Sequence, residues 1–378
     1  MLKRNIWKGY SGIAKCERFY SSRVARRPEL STLLPNKKIM NRILFDNDSR
    51  LSYKKIVPIM EAVYENIEKP EEIFFPRYTT GDDLMLCKKV LSVVRQTTNT
   101  IDKKLLAVED ELVEKGAEFG NNDAIATLAF KTIEDPNSTR EDYKHANKLI
   151  EELTKIKHPL VFKLAGDLAF KKGYYSQSLK FWSDFIEVEP DTVQASHVYS
   201  NLGIYYFSYC KPRPDLQKAK VFLEKSIKYG ELDIYTIKAH YYLGQMFSIM
   251  EPLRARYHLE LASTQGLKES FPTLGFLEMN VFNNFSKSIQ WFKLGTEASN
   301  DLSCLVGQFD CYMLTKDHKS ARRILDNLKS LHAKILRTKE RNLIPSNMQQ
   351  VAASNEAILN IFFKTRHDGI MLLSGQEE

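Results

Sequence analysis

Apolar residues recur along most of this chain at intervals of three and four. Ile39, Ile43 and Leu44 open an amphipathic stretch, polar residues 46–50 interrupt it, and Tyr53, Ile56, Ile59, Met60 and Val63 resume the same period. That recurrence puts one apolar stripe on each of two helices. Pro70, Pro76 and Gly81 punctuate a loop, and residues 84–94 and 101–119 then predict two further helices. Residues 24–38, with Pro28, Pro35 and several bases, predict an extended connector. Alternation with period two is not sustained anywhere, so the chain is expected to be all-α.

From about residue 120 the pattern repeats itself. The segment AGDLAFKKGYYSQSLKFWSDFIEVEP, residues 165–190, carries the tetratricopeptide positions in order: Gly166 in a first helix, Gly173 at the turn, Ser178 and Trp182 in a second helix, and Pro190 as terminator. Glycines recur in the same role at 203, 244, 275 and 307, spaced 37, 41, 31 and 32 residues apart. The matching small residues of the second helices are Ser178, Ala219, Ala255, Ser288 and Ala321. A glycine inside a helix costs about 1 kcal/mol relative to alanine, so five at corresponding points call for a packing reason. Small residues facing small residues would let two antiparallel helices approach closely, and the variable spacing leans toward the Sel1-like variant of the repeat. Leu128-Ala129 followed by Ala146 matches a degenerate sixth repeat, and residues 210–215, CKPRPD, read as an insertion. The expected fold is an all-α tetratricopeptide/Sel1-like helical-repeat superhelix. Its expected parts are a leader at 1–27, an N-terminal helical region at 28–119, the repeats at 120–335 and a C-terminal helical extension at 336–378.

Composition changes the picture mainly at the N-terminus. The first 27 residues hold eight Lys or Arg against Glu17 alone, so they supply +7 of the formal +8. Leu2, Ile6, Tyr10 and Ile13 share one helical face while Lys3, Arg4, Lys8, Lys15 and Arg18 gather on another. An amphipathic, Arg-rich, acid-poor segment without a seven-residue apolar run reads as a mitochondrial transit peptide, and Arg18-Phe19-Tyr20 places the cut after Tyr20. The rest of the chain is nearly neutral, so its overall basicity implies nothing about nucleic acid. At 43% hydrophobic and 27% charged residues it can bury a core. Five cysteines without a CxxC pair suit a reducing compartment and give no disulfide or zinc framework. No window is long and apolar enough to span a membrane, so membrane association is expected to be peripheral.

No catalytic constellation is present in the sequence. The eight histidines are scattered, none in HExxH, and no P-loop, GxSxG or GxGxxG occurs. Cys304 and Cys311 are expected to be buried small residues, and the aromatics Tyr205, Tyr206, Phe207, Tyr241 and Tyr242 fit a core better than a nucleobase platform. No cofactor, metal or enzymatic role is expected. Residues 316–341 carry nine Lys or Arg against Asp317, Asp326 and Glu340. They nominate Arg322, Arg323, Lys334 and Arg337 for anionic lipid head groups, each basic residue near such a surface contributing about 1 kcal/mol.

Stacked tetratricopeptide hairpins bind extended peptide on their concave face. Counting each glycine as the eighth position of its first helix nominates Lys163, Asp167, Phe170 and Lys171, then His197, Ser200 and Phe207, then Lys238, Tyr241 and Gln245. Such a mixture of bases, amides and aromatics suits an extended polypeptide with acidic or polar side chains.

Several stretches are less generic. NRILFDNDSRLSY at 41–53, LLAVEDELVEKGAEFGNNDAIATLAF at 105–130 and FPTLGFLEMNVFNNFSKSIQWFK at 271–293 resemble a family of yeast mitochondrial matrix proteins. That family exports the C-terminal domain of cytochrome c oxidase subunit 2. The likeness covers about residues 37–335 and thins after Leu331, so the basic segment has no support from it. It implies a matrix protein bound peripherally to the inner membrane. Its expected partners are the subunit 2 tail and an Oxa-family insertase, with no catalytic residues and no nucleic acid. A helical-repeat RNA-binding or ribosome-associated factor of mitochondrial gene expression is the alternative, and it would need more regular repeats of about 35 residues. Mature protein recovered from mitochondria is expected to begin at Ser21. N-terminal sequencing that returns Met1 overturns the leader.

Overall fold

The computed structural model describes residues 28–97, 103–341 and 343–374. The basic leader and its cleavage point lie outside them. Among the described residues no strand occurs, and the chain forms two compact parts, Met1–Asp184 and Phe185–Glu378.

The N-terminal part opens with α1 (Leu30–Leu33), α2 (Lys37–Asp46), α3 (Tyr53–Glu65), α4 (Gly81–Thr97) and α5 (Lys103–Glu118). The region expected to be an extended connector is therefore helical in part. Leu30 and Leu34 turn inward, and the Tyr64 hydroxyl donates to the Pro28 carbonyl at 2.9 Å. Burying a leucine contributes about 1.5–3 kcal/mol, enough to override the local preference of a Pro-flanked segment. Met40, Ile56, Ile59, Met60, Leu84 and Val108 are fully buried at the centre. Arg50 clamps α4 through Asp83, Nε to Oδ1 at 2.9 Å. Burial pushes the Asp83 carboxyl up, but hydrogen bonds from Arg50 and Thr80 outweigh it and hold it below the usual carboxylate range.

Helix hairpins follow: α6 (Asn122–Glu134) with α7 (Arg140–Lys155), and α8 (Pro159–Lys171) with α9 (Tyr175–Val188). Ala129 and Ala146 are both buried in the first of them. The division between the two parts falls inside α9.

The C-terminal part contains α10 (Val193–Ile204), continued by a π-helical turn at Tyr205–Tyr209, and α11 (Leu216–Tyr229). It goes on with α12 (Ile234–Phe247), α13 (Pro252–Thr264), α14 (Ser270–Asn280), α15 (Phe285–Ser299), α16 (Leu302–Leu314) and α17 (His318–Glu340). First helices pack directly on first helices, α10 on α12 and α14 on α16. All of these helices but α13 and α14 start where short polar side chains cap them: Thr192, Asp215, Asp233, Asn284, Asp301 and Asp317 each accept a backbone N–H of the first turn. Finally α18 (Gln349–Thr365) and α19 (His367–Ser374) fold back onto α16 and α17. There Phe309 and Phe362 meet edge to face at 5.0 Å, and Arg366 pairs with Asp310 at 2.8 Å.

The repeat glycines lie inside first helices as expected, but what faces them differs. A large side chain of the second helix, one turn beyond the small residue, fills the space over each of the first four: Trp182 over Gly166, Leu223 over Gly203, Leu259 over Gly244, Phe292 over Gly275. Gly307 receives Phe292 as well, from the preceding hairpin. A β-carbon at Gly244 would stand 2.6 Å from Leu259, and closer still to its neighbour at the other four. The small partners Ser178, Ala219, Ala255, Ser288 and Ala321 are fully buried beside these contacts. The Ser288 hydroxyl donates to the Gly275 carbonyl at 2.8 Å. The glycines thus act as cups for large residues, a correction to the small-on-small contact that the spacing suggested. Spacing along a helix tells which residues share a face, and residues four apart do, so it left the choice between Ser288 and Phe292 open.

Gly275→Ala and Gly307→Ala are each expected to destabilise by about 1–3 kcal/mol, since Phe292 is buried and has to move. Adding Phe292→Leu to Gly307→Ala should recover part of that loss in a thermal melt. Unchanged melting of both alanine variants would refute the cup.

Candidate peptide-binding site

In the N-terminal part, α8 carries the four nominated residues of the first full repeat. Lys163 is only 8% exposed, and its Nζ lies 3.2 Å from Asp167 Oδ2. The other oxygen of Asp167 accepts from Trp182 Nε1 at 3.0 Å, so the pair orients the ring that fills the Gly166 cup. Phe170 packs against Trp182 and Tyr175 with centroids 5.3 and 5.4 Å away. Lys163 and Asp167 therefore serve the core, a correction to their assignment as ligand contacts. Lys171 is exposed and reaches Glu134 of α6 at 3.2 Å.

The C-terminal part places its nominated residues on α10 and α12. His197 Nε2 meets Asp233 Oδ2 at 2.5 Å, and its ring stacks on Tyr235 with centroids 4.1 Å apart. Asp233 caps α12 with its other oxygen, so His197 joins α10 to the start of the next first helix. Burial pushes the Asp233 carboxyl up, and the His197 hydrogen bond with the cap bonds brings it below the ordinary range. Ser200 is fully buried and donates to the Tyr235 carbonyl at 2.8 Å, which removes it from any binding surface.

Phe207, Tyr241 and Gln245 do come together. Phe207 sits on the π-helical turn and meets Tyr242 edge-on at 5.2 Å. Gln245 Nε2 donates to the Tyr241 hydroxyl at 2.7 Å. Tyr241 lies beside Thr273 of α14, and Tyr242 beside Ser208. Both phenols are half-buried, and burial raises their pKa. A first-helix face thus runs from the π turn across α12 to α14, lined by tyrosine rings, hydroxyls and one amide. Lys238 is exposed on the same helix. Tyr242 and Thr273 were not nominated, because each stands two residues before the repeat glycine of its helix, a position the count passes over. Such a face offers flat apolar contact and hydrogen-bonding groups to an extended chain. Among the described residues no group of three or more His, Cys, Asp or Glu could hold a metal ion.

The basic segment forms most of α17. Arg323, Lys334 and Arg337 are exposed, whereas Arg322 bends back and Nη2 donates to the Leu373 carbonyl, closing the end of α19. Arg322 is thereby a tertiary contact and not part of a lipid-facing set. Among the described residues no helix is long and apolar enough to cross a membrane.

Helix hairpins packed first helix on first helix, with glycine cups and no strand among the described residues, define an all-α helical-repeat protein of the tetratricopeptide/Sel1-like class. Residues 26–121 match the model of the MSS2 N-terminal domain. The mitochondrial protein MSS2 of Saccharomyces cerevisiae is 32% identical over 369 residues, covering 94% of this chain and 98% of that protein. The chain belongs to the MSS2 family, and it is a mitochondrial protein. Among solved structures it is similar to a Sel1 repeat protein from Oxalobacter formigenes (14% identity, 70% of this chain and 100% of that one, TM-score 0.44). It is also similar to the antigen c5321 of uropathogenic Escherichia coli (14% identity, 90% and 82%, TM-score 0.45).

The scattered histidines include one pair that the fold brings together. His240 Nδ1 and His258 Nδ1 lie 2.8 Å apart across the α12/α13 hairpin, so one ring donates and the other accepts. Burial lowers both, and His258, with His240 and Arg254 adding to the effect, falls from 6.5 to about 4. The folded chain therefore refuses protons that the unfolded chain binds below pH 6.5, and stability is expected to fall as pH drops from 6.5 toward 4. Urea midpoints across that window should decline for the native chain and decline less for His258→Gln. Equal slopes would contradict the pair's role.

Proposed function

We propose that this mitochondrial protein is a non-enzymatic assembly factor for cytochrome c oxidase. Its C-terminal part holds the matrix-exposed tail of subunit 2 on the tyrosine-lined first-helix face while the tail is exported across the inner membrane, beside an Oxa-family insertase. The observation that carries the reading is the run of Phe207, Tyr241, Tyr242, Gln245 and Thr273, half-buried rings beside hydrogen-bonding groups. Membership of the MSS2 family supports the mitochondrial address, and the three family-like stretches support the cargo. An extended chain offers an N–H and a C=O at every residue, and amide and phenol groups can pair with either. The exposed face of α17, with Arg323, Lys334 and Arg337, supplies a peripheral electrostatic contact with the matrix side of the inner membrane.

Lys238→Glu together with Gln245→Glu puts two negative charges on the face without touching a cup. Crosslinking of the subunit 2 tail in isolated mitochondria is expected to fall by roughly tenfold, ~1.4 kcal/mol, with melting unchanged. Normal crosslinking and normal export at normal abundance would sink the cargo assignment and leave the fold intact.

A further inference from the structure

The turn between α12 and α13 presents apolar side chains to water without cover. Ile249 is 88% exposed, Met250 85%, Leu253 70% and Tyr257 60%. The backbone there is tied down: Glu251 N–H bonds the Phe247 carbonyl at 2.9 Å, the Ser248 hydroxyl bonds Gln245 O at 2.7 Å, and Pro252 opens α13. A fixed turn holds Ile249 and Met250 outward, where a flexible loop would fold them over. Side chains near the start of α13 reach the neighbouring hairpin on either side. Arg254 reaches Glu224 of α11, and Arg256 lies over Phe282 beside the α14/α15 turn.

The two edges of the C-terminal part differ in charge. Turns that link a second helix to the next first helix, residues 189–192, 230–233, 265–269 and 300–301, sum to −5. Turns within hairpins, residues 210–215, 248–251, 281–284 and 315–317, sum to zero. The neutral edge bears the apolar tip, and the acidic edge bears the charge that anionic head groups repel.

We propose that the α12/α13 turn is a membrane-seating tip, with Ile249, Met250 and Leu253 entering the interfacial layer of a lipid bilayer while the acidic edge faces water. A protruding tip cannot receive a helix as a groove does, whereas lipid adapts to its shape. Each buried methylene adds to partitioning, and that part of the binding survives salt that screens charge. The proposal goes beyond the capture of a peptide and uses none of the face that would bind it.

The test is co-sedimentation of the full chain with vesicles of phosphatidylcholine and cardiolipin at low and high salt. The variant Ile249→Ser, Met250→Ser, Leu253→Ser is expected to bind more than about tenfold more weakly at both salts. Its melting should be unchanged, because the three side chains touch little. Replacing Arg323, Lys334 and Arg337 with Gln is expected to weaken binding at low salt only. A tip variant that sediments like the native chain overturns the proposal and leaves the α17 contact standing if the Gln variant is released. A native chain that ignores vesicles at both salts overturns it too, as does a tip variant that changes oligomeric state on gel filtration with vesicle binding intact. As a second readout, Trp at position 250, introduced as Met250→Trp, should shift its emission to the blue when vesicles are added. No shift refutes insertion.

Discussion

The structure depends on how closely a first helix lets its partner approach. At Gly166, Gly203, Gly244 and Gly275 the missing β-carbon admits a tryptophan, a leucine, a second leucine and a phenylalanine, and no other residue type leaves that space. Dispersion and burial at such a contact offset the entropic cost of glycine in a helix. Other features answer to the same constraint. Asp167 holds the Trp182 indole in place, Lys163 holds Asp167, and Ser288 ties its helix to the Gly275 carbonyl. Because hairpin geometry is set at these points, the direction in which Tyr241 and Tyr242 point is set with it.

Much of the fold was legible in the sequence because helical period, capping residues and repeat glycines all point to the same class. Asp and Asn stand before α11, α12, α15, α16 and α17, and each caps where it stands. What the sequence could not show was which of two residues one turn apart fills a cup, since both share a face. The expected connector at 24–38 misled for a different reason: its prolines and bases speak of the local chain, while Leu30 and Leu34 answer to a distant core. The 16-residue step from Gly203 to Ala219 is explained by the π turn together with the 210–215 insertion.

The binding face was less legible, and the failures have one cause. Position counting treats a side chain as free to face a ligand until a partner is seen, and partners come from other elements. Ser200 is taken by Tyr235, and Lys171 by Glu134. Lys163 with Asp167 is the exception, because a base and an acid four apart on one helix already announce a pair. The histidine pair was also within reach. His240 and His258 stand nine residues before and after Ile249, so any hairpin turning there brings them level.

Phe292 has a consequence for modularity. Its ring lies under two glycines of successive hairpins, Gly275 in its own and Gly307 in the next. A chain cut after α15 would bare one side of the ring to solvent, and a chain begun at α16 would carry a cup with nothing in it. Repeat proteins are commonly treated as beads that evolution or an experimenter can add or remove singly. Here the last two beads share one keystone, so a cut between them damages both, and they have to be dissected together.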